Sequence, residues 1–238
     1  MPSSRGVRAR VRAEIANEIM DAARAELAAG GPTGLSLRAV ARRVEMVPSA
    51  LYRYFPSRDA LLTALIIDAY HAVGEAAEKA DLVATARSSA EPMDRWLEVA
   101  RTVRSWAGEH PHEWALIYGS PVTGYEAPRA TVEAALRVTQ VITTIFGDPV
   151  PVSGKAGLRT KGRMPAAPDD LRATMSPISD TLLPGRSPEL AAAVLIAWTH
   201  LIGTVSLELF GHYKGATTSF DPVFDYTVRS VGYLGGLQ

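Results

Sequence analysis

Apolar residues recur every three to four positions along almost the whole chain, and no segment alternates between apolar and polar residues for long. Such spacing is typical of helices that bury one face, whereas a half-buried strand alternates at every second residue. The first apolar stripe, between about Val11 and Ala29, includes Ile15, Ile19 and Leu27. The chain is therefore predicted to be all-α.

The charges of the chain are balanced in number but uneven in position. The 238 residues are 47% apolar, enough to bury a sizeable core in one or two domains. Residues 1–60 contain ten arginines and six acidic residues, whereas residues 61–238 contain fifteen basic and nineteen acidic residues. The net charges are +4 and −4, respectively. A basic front on an acidic remainder indicates one end that faces a polyanion.

Several protein classes are excluded or disfavoured by what the sequence lacks. The absence of cysteine excludes disulfide frameworks, thiolate nucleophiles and zinc fingers. Arginines interrupt the first seventeen residues, which have no apolar core of the kind a secretory signal needs, so a cytoplasmic protein is expected. No nucleophile elbow, dinucleotide fingerprint or phosphate loop occurs. We expect no enzyme activity, no catalytic residues, no metal and no cofactor.

One segment is apolar enough to suggest a membrane span. Residues 190–207 carry no formal charge, but this run includes Thr199, His200 and Thr204 and is short for a bilayer, which needs ~20 apolar residues. A helix buried in the protein or across a subunit interface is the preferred interpretation, and no membrane partner is expected. A regulator attached to a membrane through this segment is the less favoured alternative.

Turn and cap signals divide the basic front into four helices, at about residues 11–29, 36–44, 48–54 and 58–82. Gly30-Gly31-Pro32 ends the first helix, and Ser36 is a candidate N-cap for the second. Pro48 lies in the first turn of the third helix, where no N–H is needed, and Ser57 caps the fourth. Two short helices joined by a tight turn behind a longer helix predict a helix-turn-helix.

The second short helix, Pro48–Tyr54, is the candidate recognition helix. Leu51 and Phe55 lie four positions apart and can pack inward, which leaves small and hydrogen-bonding side chains outward. Serine, arginine and tyrosine can bond to phosphates or base edges, and alanine can contact a thymine methyl group. Residues that open the neighbouring helices face anions with a helix N-terminus behind them. The predicted DNA-binding residues are Ser36, Arg38, Val47, Pro48, Ser49, Ala50, Tyr52, Arg53, Tyr54 and Arg58.

Two sequence runs carry a family resemblance. The first is Ser36-Leu37-Arg38-Ala39-Val40-Ala41-Arg42-Arg43-Val44, and the second is Ala50-Leu51-Tyr52-Arg53-Tyr54-Phe55-Pro56-Ser57-Arg58-Asp59-Ala60-Leu61-Leu62. Together they resemble the N-terminal DNA-binding domain of TetR/AcrR-type transcriptional regulators, over about residues 11–65. The resemblance implies a regulator that binds double-stranded DNA. The chain departs from the family pattern at Glu45, where glycine is usual, and at Val47 and Pro48, where serine and lysine are frequent.

The remainder of the chain is also predicted to be helical. Helices are expected at about residues 93–109, 113–118, 129–146, 169–182, 188–212 and 222–234. Residues 147–168 are rich in proline, glycine and basic residues and are predicted to form a flexible loop. The predicted domains are a flexible basic arm (1–12), a helix-turn-helix domain (13–60) and a helical domain (61–238). The arm, with arginines at positions 5, 8, 10 and 12, either follows DNA phosphates or is only a soluble terminus.

A second resemblance lies in the helical domain. The runs His110-Pro111-His112-Glu113-Trp114, Tyr118-Gly119-Ser120-Pro121 and Ala197-Trp198-Thr199-His200-Leu201-Ile202-Gly203 are similar to the C-terminal domain of a TetR subgroup named for a Trp-His-Gly motif. The resemblance implies a pocket for a small-molecule effector and a homodimer built largely from the last two long helices. We therefore expect residues 188–212 and 222–234 to pair with their symmetry mates.

Aromatic residues and one histidine are the candidate effector contacts. A buried imidazole needs a hydrogen-bond partner, which a polar ligand could supply to His200, although a satisfied core histidine is the commoner outcome. The wider candidate set is Trp96, Trp106, Trp114, Tyr118, Tyr125, Trp198 and His200, most of which could equally be core. His110, His112 and Glu113 are not spaced for one helix face, so solvent-facing histidines are favoured over a metal site.

These observations predict a ligand-responsive transcriptional regulator that acts as a homodimer, with repressors being usual in the family. The dimer is expected to bind an inverted-repeat operator whose half-sites lie ~34–36 Å apart, and a small-molecule effector is expected to release it. The alternative is a helical small-molecule-binding or enzymatic protein in which the helix-turn-helix is only architectural.

Overall fold

All regular structure in the described part of the chain is helical, so the all-α prediction is confirmed. The structure, a computed structural model, describes residues 4–87, 91–147, 168–171, 173–175 and 187–237. Its helices are α1 (Ser4–Gly34), α2 (Leu37–Arg43), α3 (Pro48–Leu51), α4 (Arg58–Thr85), α5 (Pro92–Glu109), α6 (Pro111–Tyr118), α7 (Thr131–Ala135), α8 (Arg137–Gly147), α9 (Pro188–Leu209) and α10 (Asp221–Leu234). Helical turns also occur at 169–171 and 173–175.

The chain divides into two compact units. The front unit consists of Met1–Tyr70 and His110–Val132, and the body unit consists of His71–Glu109 and Glu133–Gln238. This division differs from the boundary predicted at residue 60, because α6 belongs to the front unit. The reason is a long-range contact, since Leu116 of α6 joins the apolar core formed by α1 to α4. Chain order alone does not reveal such a contact.

The core of the front unit is built from one face of each of its helices. Along α1 the predicted stripe is confirmed, with Ile19, Ala23 and Leu27 buried. Leu51 of α3 and Leu61 of α4 are fully buried in the same cluster. Each fully buried leucine or isoleucine contributes about 1.5–3 kcal/mol relative to exposure. This shared core fixes the two short helices against the longer ones.

Helix α1 is longer than predicted and is interrupted near its end. It begins at Ser4, so residues 4–12, predicted as a flexible arm, are helical, and residues 6–12 are exposed. At Gly31 the backbone has φ 67°, which is non-helical and favours glycine, and Pro32 follows it. The predicted break after the first apolar stripe is therefore confirmed at this position, although helical residues resume up to Gly34.

The body unit is held together by a buried tryptophan. Trp96 of α5 is fully buried, donates from Nε1 to the carbonyl of Val228 at 2.9 Å and packs edge-on against Phe146 of α8. Helix α10 approaches α5 closely at Gly232, where a Cβ atom would lie 2.8 Å from Met93 Cε. Because interiors are close-packed, a larger residue at position 232 would require the Met93 side chain to move.

Two predicted elements of the body differ from the structure. The helix expected over residues 129–146 is divided into α7 and α8, with a turn at Leu136. Arg137, the first residue of α8, donates to Glu78 at 2.6 Å and to the carbonyl of His71 at 3.0 Å. These contacts position the start of α8 against α4. Of the helix predicted over 169–182, only the turns up to residue 175 are described, and the predicted loop over 147–168 lies largely outside the described residues.

Two helices are long and apolar enough to cross a membrane by length and composition alone. They are α4 and α9, and 44% and 50% of the residues in their most apolar windows are buried within the protein. Core helices of soluble proteins pass the same test. The buried residues of α9 include Val194, Ala197 and Leu201, which agrees with the predicted packing of this segment inside the protein.

Candidate nucleic-acid interface

The turn between α2 and α3 is closed by a Schellman motif. The N–H of Met46 donates to the carbonyl of Ala41 at 2.9 Å, and the N–H of Glu45 donates to the carbonyl of Arg42 at 3.3 Å. This pair of bonds requires a left-handed residue just after the helix, and Glu45 has φ 55° there. The motif explains why glycine is usual at this position in the family that the sequence resembles.

Helix α3 is short and is anchored through one residue. Its α-helical part ends at Leu51, whose side chain is fully buried, whereas the predicted helix ran to Tyr54. The next residues form a tighter turn, in which the N–H groups of Arg53 and Tyr54 donate to the carbonyls of Ala50 and Leu51. Phe55 packs against the core, as predicted.

The structure brings most of the predicted DNA-binding residues to the outside of the α2–α3 pair. The exposed ones are Arg38, Val47, Pro48, Ser49, Tyr52 and Arg53, and the half-buried ones are Ser36, Ala50, Tyr54 and Arg58. Ser36 occupies the N-cap position of α2, but its side chain makes no capping bond. Arg42, one turn after Arg38 on α2, is also exposed. It adds positive charge that the predicted set omitted, although it lies within the motif.

Arg58 differs from the rest of the predicted set, because its guanidinium is directed into the protein. It donates from Nη2 to the carbonyl of Pro32 at 2.7 Å and from Nε to the carbonyl of Leu35 at 3.2 Å. It therefore fastens the start of α4 to the end of α1 and to the residue that follows it. A phosphate contact was predicted from its place at a helix N-terminus, and no local pattern indicated these carbonyl partners.

A contact that the sequence did not indicate joins α1 to the end of residues 48–54, called the recognition segment below. Arg12 Nη2 donates to the carbonyl of Arg53 at 3.0 Å, and the Arg12 guanidinium lies 5.0 Å from the centroid of the Tyr54 ring. The distance and geometry are those of a cation–π pair. Forty-one positions separate Arg12 from Arg53, so no local pattern could have predicted the pair.

The seven predicted effector residues fall into two groups in different units. Trp114, Tyr118 and Tyr125 lie in the front unit, whereas Trp96, Trp106, Trp198 and His200 lie in the body unit. Trp114 is fully buried, and its ring centroid lies 4.6 Å from that of Tyr118, whose ring also contacts Tyr70. Burial, with a smaller effect of Tyr70, raises the pKa of the Tyr118 hydroxyl. Tyr125 shares a hydrogen bond of 2.9 Å with Thr63.

In the body unit the predicted effector residues have different environments. Trp96 and Trp106 are buried, and the Trp96 indole is satisfied by Val228, so both contribute to the core. His200 is half-buried, and its Nε2 atom is buried without a hydrogen-bond partner among the described residues. Burial lowers the pKa of the His200 imidazole.

Comparison with known proteins decides the family. Residues 19–65 match the family described as bacterial regulatory proteins, tetR family. Residues 96–231, more than half of the chain, match the family described as tetracyclin repressor-like, C-terminal domain. The chain belongs to the TetR family. It is therefore a DNA-binding, helix-turn-helix regulator of transcription, as the first resemblance implied.

Individual relatives support the same assignment for this TetR-family chain. The HTH-type transcriptional regulators Mb1846 of Mycobacterium bovis and Rv1816 of Mycobacterium tuberculosis are each 37% identical over 229 residues, 94% of this chain and 93% of theirs. The crystal structure of the regulatory protein SCO4313 is similar at 30% identity and TM-score 0.74, covering 93% of this chain and 97% of its own. A tetR-family protein from Rhodococcus RHA1 shares the fold at 17% identity and TM-score 0.59, with 94% and 97% covered.

The C-terminal part of this TetR-family chain has an open depression of about 560 Å³ between α5 and α9. Its lining includes Arg101, Arg104 and Glu208 but none of the seven predicted effector residues. Arg104 donates to Glu208 at 2.6 Å, and the Arg101 hydrogen bond lowers the pKa of the Asp225 carboxyl. The charges at this depression are thus already paired within the protein. Among the described residues no group of histidines or carboxylates could hold a metal ion.

The last two helices of the TetR-family chain expose an apolar stripe each. On both α9 and α10 the exposed residues recur every three to four positions, as they do along one face of a helix. The exposed large apolar side chains of the two helices are Leu195, Ile196, Leu207, Val223, Tyr226, Tyr233 and Leu234. Tyr226 is 74% exposed, which is unusual for a large aromatic side chain outside an interface.

Proposed function

We propose that this TetR-family chain is a cytoplasmic repressor that binds an inverted-repeat operator as a homodimer and is released by a small-molecule effector. The observation that carries the proposal is the group of exposed hydrogen-bonding side chains on the recognition segment. Ser49, Tyr52 and Arg53 are exposed there, while Leu51 anchors the same segment in the core. A rigid base with free hydrogen-bonding groups is what major-groove recognition needs.

Each residue of the predicted DNA-binding set has a proposed role. Arg53 and Ser49 bond to a guanine edge or to phosphates, and the Tyr52 and Tyr54 hydroxyls reach phosphates. Val47, Pro48 and Ala50 offer apolar contacts to thymine methyl groups. Ser36 and Arg38 meet the backbone at the start of α2. Because Arg58 is occupied by two carbonyls, its proposed contribution is to hold the α1–α2 segment rather than to bind phosphate directly.

The exposed stripes of α9 and α10 support the proposed homodimer. Paired with their symmetry mates, the two helices would bury the apolar side chains that each subunit alone leaves in water. A twofold assembly then presents two recognition segments to the two halves of an inverted repeat. We further propose that the body unit belongs to the Trp-His-Gly subgroup, since Trp198, His200 and Gly203 all lie on α9.

Effector binding is proposed at His200 and Trp198 in the body unit. The buried, unpartnered Nε2 atom of His200 supports this assignment, because burying a polar atom without a partner is costly. Helix α4 contributes residues to both units, with the division after Tyr70. An effector that favours one state of the body can therefore change the DNA-binding equilibrium through this continuous helix.

Selection from a random duplex library tests the proposed function. The purified protein is mixed with duplexes containing a random 30-base-pair core at 150 mM salt, and bound DNA is amplified and sequenced over several rounds. A regulator of this kind enriches one inverted repeat, and its affinity falls steeply as salt rises. Absence of any enriched sequence would count against the proposal and in favour of an architectural helix-turn-helix.

The double substitution Tyr52→Ala with Arg53→Ala sharpens this test. We expect the affinity for the selected duplex to fall at least about a hundredfold, because each subunit loses a phosphate contact and a base-edge contact. Arg87→Ala is the control, since Arg87 is an exposed arginine of the body unit, 3.8 Å from Glu98. Fluorescence anisotropy of the labelled duplex measures both variants, and equal losses would contradict the assigned site.

A further inference from the structure

Arg12 is placed to control the segment that carries the DNA-contacting side chains. Its guanidinium donates to the carbonyl of Arg53 and lies over the ring of Tyr54. All three residues belong to the front unit. Arg12 lies in the exposed first part of α1, before the core-facing residues that begin at Ile15.

Arg12 provides a hydrogen-bond donor for the backbone carbonyl of Arg53 in that segment. After α3 ends at Leu51, the N–H groups of Arg53, Tyr54 and Phe55 donate back to carbonyls of Ala50 and Leu51. The carbonyls beyond a helix end have no partner within the helix. At Arg53 the Arg12 guanidinium supplies a charged donor at 3.0 Å, which is stronger than a neutral one.

The ring of Tyr54 gives the same guanidinium a second support. Tyr54 is half-buried and packs against the core of the front unit, so its ring is held in place. A guanidinium prefers the face of such a ring within about 6 Å of its centroid. Arg12 thus fixes Arg53 and Tyr54 together, and the exposed Tyr52 and Arg53 side chains lie in the turn it fastens.

We propose that Arg12 is a positioning residue of the DNA site: it sets the direction of the Tyr52 and Arg53 side chains without contacting DNA itself. This inference rests on the proposed DNA-binding function of the recognition segment. A phosphate-following role for Arg12 would instead need its guanidinium free. Arg8, one helical turn earlier and also exposed, provides the charge-matched comparison because it makes none of these contacts.

The first experiment measures the segment without DNA. Hydrogen exchange of the backbone amides of residues 49–55 and 57 is compared in the wild-type protein, Arg12→Ala and Arg8→Ala. We expect exchange at residues 52–55 to rise at least about threefold in Arg12→Ala only, since its support at the Arg53 carbonyl is lost. Equal exchange in all three proteins overturns the inference, whatever the protein binds.

The second experiment measures discrimination between DNA sequences. Affinities for the library-selected duplex and for a scrambled duplex are determined at several salt concentrations. For Arg12→Ala the ratio of the two affinities should fall about tenfold, consistent with loss of one charge-assisted bond and one cation–π contact. For Arg8→Ala the ratio should persist. An equal ratio in both variants would show that Arg12 contributes no more to discrimination than Arg8, and it overturns the inference. A salt slope reduced only in Arg12→Ala means direct phosphate contact and also overturns it.

Conservative variants separate positioning from folding. Arg12→Lys keeps the charge but loses the planar fork, so the affinity ratio should recover only in part. Tyr54→Phe keeps the ring and removes only the hydroxyl proposed to reach phosphate, so it is the reference for Tyr54→Leu. Relative to Tyr54→Phe, Tyr54→Leu removes the ring and should resemble Arg12→Ala, without adding its full effect in the double variant. Full recovery in Arg12→Lys, or full additivity with Tyr54→Leu, would show that the guanidinium and the ring do not act together. If the library selects no sequence, the proposed function fails, while the exchange experiment still decides the role of Arg12.

Discussion

Glu45 adopts a conformation that its side chain disfavours. It is the non-glycine residue with a positive φ, 55°, among the described parts of the chain, and it closes the Schellman motif after α2. In this left-handed region a Cβ atom crowds the following carbonyl oxygen, at a cost of roughly 1–2 kcal/mol. The departure from glycine noted in the sequence therefore lowers stability without changing the turn, whose two backbone bonds are intact.

Glu45→Gly should stabilise the protein. We expect the free energy of unfolding to rise by about 1 kcal/mol, because glycine removes the crowding but loses more freedom on folding. Urea unfolding followed by circular dichroism at a fixed protein concentration measures the change. Glu45→Gln, which removes the charge and keeps the Cβ atom, is the matched control. A larger gain in the glutamine variant would assign the effect to charge instead.

His200 should make the stability of the protein depend on pH. Burial lowers the pKa of the folded imidazole below its ordinary value of 6.5, so the unfolded chain binds this proton more tightly. Its contribution to stability is complete above about pH 6.5 and is lost as the pH falls towards the folded pKa. His200→Gln should flatten the decline between pH 7.5 and pH 5.5 in urea unfolding. His112→Gln, at an exposed position, is the matched control.

At the scale of single elements, helix α4 depends on its first cap. The Oγ atom of Ser57 accepts a hydrogen bond from the N–H of Ala60 at 3.0 Å, which confirms the cap expected from the sequence. Ser57→Ala should lower the free energy of unfolding by about 1 kcal/mol, since a helix N–H loses its partner. Ser57→Asp keeps an acceptor and should retain the wild-type value. An equal loss in both variants, seen by thermal unfolding, would refute the capping role.

Helix bounds were predictable where neighbouring residues mark the helix ends, and less so where packing against distant residues sets them. The sequence placed α4, α5, α9 and α10 to within a few residues, because proline, serine and glycine mark their ends. It made α3 too long, since the turn after Leu51 keeps helix-like bonds. It joined α7 to α8, because the contacts that position Arg137 come from α4, about sixty residues away.

In the candidate site, too, the residues that a local motif marks were predictable, whereas contacts between residues distant in sequence were not. The motif located the exposed residues of α2 and α3 directly. It did not indicate the carbonyl partners of Arg58, which lie 23 and 26 positions earlier, or the Arg12 contact. The predicted effector set is divided between the two units, because residue type cannot separate aromatic side chains of the front core from those of the body.

At the scale of the whole molecule, the proposed dimer depends on exposed apolar side chains near the C-terminus. Tyr226→Glu would place a charge in the proposed interface, where desolvating it is costly. We expect the protein to elute as a folded monomer in size-exclusion chromatography with light scattering, and to lose most of its affinity for an inverted repeat. Leu82→Glu, at a position of α4 that is 71% exposed, is the control and should remain dimeric. A dimeric Tyr226→Glu protein would argue for another interface.

The distribution of tryptophan gives each unit an optical signature. Of the four tryptophans, Trp114 lies in the front unit, fully buried beside the Tyr118 ring, and the other three lie in the body unit. A variant in which those three are replaced by phenylalanine would emit from the DNA-binding unit alone. Its emission would report whether that unit melts before, with or after the body, and how an effector changes that order.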